Sequence, residues 1–180
     1  MLRSAMIVVT ACALCAGLLN AQWGGMGGRR GAGWPQRPRS TEGQTTQYLN
    51  PTNLAPLPGF THTVKVGPVA YVSGELPIDS AGHLVGGNDL QAQARQAFAN
   101  LETALRLAWA NPANVTELRV YVVNLAPSDV QAIHDAAPQF FPAAHAPAGT
   151  VLGVTALPVA GARIAVDAIA IVPADRTPRE

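Results

Sequence analysis

A chain of 180 residues that is 48% hydrophobic and only 13% charged holds enough apolar material for one packed domain with extensions. Its formal net charge of +1 gives no global field to attract nucleic acid or an anionic surface, so function must reside in a local site. Sparse charge also predicts that part of the apolar surface is covered by partner subunits.

The first twenty-one residues read as a signal peptide. Met1-Leu2-Arg3 supplies a positive start, Ala5 to Leu19 is apolar but short for a bilayer, and Leu19-Asn20-Ala21 precedes a plausible cut at Gln22. A retained anchor helix is one alternative, and Val9-Thr10-Ala11-Cys12 resembles a lipobox. The expected destination is secreted or periplasmic, with no stable membrane span after cleavage. Both cysteines, Cys12 and Cys15, lie in this segment. The mature protein is then left without a disulfide, a thiol nucleophile or a thiolate metal ligand. Residues 22–47 are Gly- and Arg-rich, as in Trp23-Gly24-Gly25-Met26-Gly27-Gly28-Arg29-Arg30. They lack periodicity and are expected to be a disordered linker.

Patterned sequence follows. Phe60 to Val66 alternates with period two, Gly67-Pro68 turns the chain, and Val69 to Gly74 makes a second strand. Asp79-Ser80-Ala81-Gly82 is turn chemistry, and His83-Leu84-Val85 is expected to be a short third strand. Asn88 or Asp89 caps a long helix whose apolar stripe is Leu90, Ala94, Ala97, Leu101, Leu105 and Ala108, ended by Asn111-Pro112. Val115 to Leu125 reads as a central strand. Ser128-Asp129-Val130-Gln131 has a capping-box pattern opening a second helix, which Pro138 should shorten. Thr150 to Leu157 and Arg163 to Val172 are the last two strands, and residues 174–180 a disordered tail. The order β-β-β-α-β-α-β-β predicts an α+β fold, a single mixed sheet with two helices on one face. The other face is left bare, so self-association is expected.

Tyr71-Val72-Ser73-Gly74-Glu75-Leu76-Pro77, Leu118 to Leu125, Gly153-Val154-Thr155-Ala156-Leu157-Pro158 and Ile164 to Ala170 together resemble the signature of the Rid (reactive intermediate deaminase) family. The match runs in unbroken order over about two-thirds of the chain and defines a Rid-like domain at residues 48–173. The resemblance implies a chorismate-mutase-like fold and a homotrimer with small-molecule clefts between subunits. It implies hydrolysis of reactive enamine or imine intermediates, such as 2-aminoacrylate, to 2-keto acids and ammonia, without metal or organic cofactor. Nucleic acid is not an expected partner.

Against that family the chain departs at four positions. Gly149 stands where the usual carboxylate-binding arginine sits, Phe60 where a tyrosine is common, Asp167 where a glutamate usually positions water, and His134 near a usual asparagine. Asp167 interrupts an apolar strand, so it is either functional or paired, with Arg163 or Arg119 the expected partners. Gly149 and Thr150 are expected to form a ligand loop, Phe60 an apolar wall, and Gly74 a close backbone contact. His145 could supply the cation that Gly149 lacks. His62 and His83 read as surface residues. Four histidines give no metal-site spacing. Two readings follow: an exported deaminase-like homotrimer, or a non-catalytic trimeric scaffold at the cell envelope acting through its Gly/Arg/Trp-rich tails.

Overall fold

The computed structural model describes residues 45–174, which lie within one compact unit, Ser40–Glu180. The expected signal peptide, nearly all of the expected linker and residues 175–180 of the expected tail fall outside the described residues.

Six strands and two helices form the domain: β1 (Thr46–Leu49), β2 (Thr63–Val66), β3 (Val69–Glu75), α1 (Leu90–Leu107), β4 (Val115–Val123), α2 (Asp129–Ala136), β5 (Ala148–Val154) and β6 (Ile164–Ile171). The strands make one mixed sheet in the order β1-β2-β3-β6-β4-β5, with β4 and β5 parallel and all other neighbours antiparallel. Both helical crossovers, β3 to β4 and β4 to β5, step in the same direction across the sheet. A common hand therefore places both helices on one face.

The element string is the expected one, but its first three strands are not. His83-Leu84-Val85 forms no strand; only an isolated bridge, Ile78 to Leu84, remains. The missing strand is Thr46–Leu49, which pairs antiparallel with β2 and straddles the boundary expected at residue 48 between linker and domain. Phe60 lies before β2 rather than within it. These polar residues carry no periodicity of their own, and pairing with β2 is what satisfies their backbone groups.

Alternation along β6 sends Ile164, Val166, Ala168 and Ala170 into the core, where they meet the buried stripe of α1, including Ala94, Ala97, Leu101 and Leu105. Phe98 packs on Phe140 and Phe141, with centroids 5.0 and 5.7 Å apart, and Ile133 of α2 closes the cluster. Truncating a side chain such as Leu101 to alanine costs roughly 2–5 kcal/mol. Asp89 caps α1, its Oδ1 accepting from the backbone N–H groups of Gln91 (2.9 Å) and Ala92 (3.2 Å).

The capping box at α2 does not form. Ser128 makes no side-chain cap, Gln131 instead donates to Asp135 Oδ1 at 2.7 Å, and Asp129 Oδ2 accepts from the Ala126 N–H at 2.9 Å. Ser128 already has helical backbone angles, whereas a capping residue needs an extended ψ. The helix stops at Ala136, and Pro138 begins a 3-10 turn (Pro138–Phe140).

Two buried polar residues on α1 join it to the loops. Asn100 Nδ2 donates to the carbonyls of Leu76 (2.8 Å) and Ile78 (2.9 Å). Gln93 Oε1 accepts from the Arg163 N–H at 2.7 Å while its Nε2 donates to Gly161 O at 3.0 Å. A smaller apolar cluster, Ala55, Leu76, Ile78, Ala162 and Ala165, packs beneath those loops. The remainder of the face opposite the helices carries Tyr71 and Ile171, both exposed. Among the described residues no helix is long and apolar enough to cross a membrane.

Candidate functional site

The register of the central strands places one polar cluster on that open face. On β6, Asp167 alternates out of the core and stands directly opposite Arg119 of β4. Arg119 Nε donates to Asp167 Oδ1 at 2.7 Å, and the Tyr121 hydroxyl donates to Oδ2 at 2.9 Å. Arg119 Nη1 also lies 3.3 Å from Glu117 Oε1. Hydrogen bonding to Asp167 pushes the guanidinium further above its already high pKa. Burial, then the bond to Asp167, raises the Tyr121 phenol, so it stays protonated as a donor. Of the two partners expected for Asp167, Arg119 is the one; Arg163 lies 3.8 Å from Asp129 instead. One guanidinium against two carboxylates leaves the cluster with a formal charge of −1.

A second feature lies on the helix side of the sheet at edge strand β5. A groove of about 240 Å³ is lined by Leu118, Val120, His134, Phe141, Ala146, Pro147, Gly149, Thr150 and Val151. His134 stacks on Phe141 with centroids 4.3 Å apart. Gly149 has a local structural reason: a Cβ there would sit 2.7 Å from the Leu118 carbonyl oxygen, closer than real contacts allow. The strand that would carry an arginine in the resembled family is therefore pressed against β4.

The expected site residues thus divide. His134 and Gly149 line the groove on the helix side; Thr150 also borders it, but its register with Arg119 puts its side chain on the face that carries Asp167. His145 is exposed in the loop before β5 and does not line the groove. Gly74 lies exposed in the irregular stretch between Val72 and Glu75, with open space where a Cβ would be. Phe60 is 76% exposed at the rim of a separate hollow of about 500 Å³ shared with Asn50, Leu57 and His62.

His62 is not the surface residue expected from its strand position. It is 3% exposed, with Nδ1 2.8 Å from Glu75 Oε1 and Nε2 3.0 Å from the Ala55 carbonyl oxygen. The chain at 50–57 folds back over it, and Asn50 Oδ1 accepts from its backbone N–H at 2.9 Å. Burial raises the Glu75 pKa, and the contact with His62 opposes that rise. Period-two alternation could not reveal this, because the covering segment has no regular structure. The pairing of a charged Glu75 with His62 at the two ends of a hairpin was the available signal.

One mixed sheet with two helices on one face, an open opposite face and a groove at the edge is the architecture of a chorismate-mutase-like domain. The Endoribonuclease L-PSP family model matches residues 51–172, and the chain belongs to that family, of which the Rid proteins are members. It is 28% identical over 123 residues to a 2-iminobutanoate/2-iminopropanoate deaminase of Dermatophagoides farinae, covering 67% of this chain and 93% of that protein. The deaminase of the same description from Capra hircus is 33% identical over 113 residues, covering 62% of this chain and 79% of its own. Among solved structures, the Rid-family protein YyfB of Yersinia pestis, described as of unknown function, is 37% identical with a TM-score of 0.55. That match covers 70% of this chain and 98% of YyfB. RidA from Psychrobacter is 25% identical with a TM-score of 0.62, covering 70% and 99%.

Proposed function

We propose that this chain is an exported homotrimer of the Rid type that binds small molecules in clefts between subunits and hydrolyses reactive imines or enamines there. The observation that carries the reading is the split of the site across one sheet. Asp167, clamped by Arg119 and Tyr121, lies on the open face, whereas the groove of His134 and Gly149 opens on the helix side. One chain cannot present both to one small molecule; a second copy laying its open face beside the first copy's β5 edge can. Exposed Tyr48, Tyr71, Leu152 and Ile171 supply apolar area for that contact. Similarity to 2-iminobutanoate/2-iminopropanoate deaminases supports the reaction class. The apolar run Ala5 to Leu19 behind Arg3 supports export, with the mature chain beginning at Gln22.

In this mechanism water adds to the imine carbon and Asp167 orients it and relays its proton. Arg119 and Tyr121 hold that carboxylate in place. No step calls on a metal or organic cofactor. The test is ammonia release from freshly generated imines by the mature chain and by Asp167→Asn. Acceleration over buffer that is lost in the variant is expected; no acceleration, or equal rates for both proteins, would overturn the proposal.

A further inference from the structure

We infer that the imine this site accepts carries an apolar substituent and no carboxylate, the kind of imine formed by oxidation of an amine rather than of an amino acid. The inference rests on the hydrolase reading above and concerns what the same site selects.

Charge carries the argument. On the open face of the central strands β4 and β6 the formally charged side chains are Glu117, Arg119 and Asp167. The single guanidinium is already engaged by both carboxylates, at 2.7 Å and 3.3 Å. The cluster is therefore net negative and offers an incoming carboxylate repulsion rather than a bidentate fork. Other cations on the described residues lie elsewhere. Lys65 is buried on the helix side, Arg95 and Arg106 lie on the exposed side of α1, and Arg163 sits beside Asp129. A symmetry-related copy brings the same face and hence the same charge.

The groove adds a second restriction. Its walls are Leu118, Val120, Phe141 and Val151, with His134 stacked flat on Phe141. Gly149 cannot be exchanged for a cationic residue while β5 keeps its place, since its Cβ position is closed by the Leu118 carbonyl. Apolar walls suit a hydrocarbon substituent, and about 240 Å³ suits a small one. The protonated form of such an imine, an iminium cation, complements a site of net negative charge.

The reaction balances without a co-reactant. Water's oxygen forms the C–O bond as the C=N π pair moves to nitrogen. One water proton passes by way of Asp167 to that nitrogen. Collapse of the carbinolamine breaks C–N, and the second proton leaves with ammonia as ammonium.

Two imines with the same isobutyl group test the inference: one generated from isopentylamine by an amine oxidase, the other from leucine by an amino-acid oxidase. The full mature chain is expected to accelerate ammonia release from the amine-derived imine at least tenfold more, about the effect of one charge-assisted contact. Thr150, exposed and in register with Arg119, provides the second arm. Thr150→Arg should shift the ratio about tenfold toward the imino acid, and Thr150→Gln should not. Equal or greater acceleration of the imino acid would overturn the selectivity while leaving the hydrolase reading intact. An unchanged ratio in Thr150→Arg would overturn charge as its cause. No acceleration of either imine would overturn the hydrolase reading and this inference with it.

Discussion

Arg119 and Asp167 face each other across the antiparallel β4–β6 pair, and the guanidinium Nε donates to the carboxylate at 2.7 Å. The Asp167 side chain is 15% exposed and that of Arg119 40%, so the pair is wet at one edge and contributes at most about 1 kcal/mol to stability. Its value lies in holding the carboxylate. Asp167→Asn should reduce imine hydrolysis by about 10²–10⁴-fold, the range for loss of a general acid–base group. Arg119→Met should lower kcat with little change in KM and a small change in denaturation midpoint, because Arg119 acts through Asp167. Steady-state kinetics of the two variants separate these roles.

Glu75 gives a pH signature. Its folded-state pKa is raised by burial, so the native state binds more protons than the unfolded state above the ordinary glutamate value of about 4.3. Stability from this group is present in acid and falls as pH rises through the raised pKa. Glu75→Gln should flatten that part of the stability–pH curve. Glu75→Ala should cost about 1–3 kcal/mol by leaving His62 Nδ1 buried without a partner. Urea unfolding at a series of pH values measures both.

Gly149→Ala should destabilise by roughly 1–3 kcal/mol, since the new methyl group lies 2.7 Å from the Leu118 oxygen and β5 must shift outward. The same closeness means that Gly149→Arg will disturb the strand rather than simply restore a carboxylate receptor. Thermal denaturation of the alanine variant reads the effect.

Asn100→Leu should be costly despite its apolar surroundings. Two loop carbonyls would lose a donor, that of Leu76 keeping only the Ile78 N–H (2.9 Å) and that of Ile78 only Gln96 Nε2 (3.4 Å), at about 1 kcal/mol for each hydrogen bond lost. Faster hydrogen exchange in residues 76–85 should accompany the loss.

Much of this fold is legible in the residues because it depends on local pattern. The α1 stripe and its cap at Asp89, the alternation of β6 and the Gly67-Pro68 turn all express periodicity or turn chemistry directly. The misread elements depend on tertiary partners instead. Thr46–Leu49 becomes a strand only because β2 presents an unpaired edge, and His83-Leu84-Val85 fails to become one because its pairing stops at the single bridge between Ile78 and Leu84. His62 is buried by an irregular segment that no period announces. At the site, Asp167 stands out as a charge within an apolar strand with Arg163 and Arg119 as candidate partners, and only the register of β4 against β6 decides for Arg119. The separation of Asp167 from His134 and Gly149 became visible only when strand order and register put them on opposite faces of one sheet.

The account turns on the open sheet face being shared between copies, which sedimentation equilibrium of the mature chain at micromolar concentration tests most directly. The mass predicted is that of a trimer, and Ile171→Asp, which sets a charge on the exposed apolar face, should lower it toward that of one subunit. A well-folded monomer at that concentration would contradict the account.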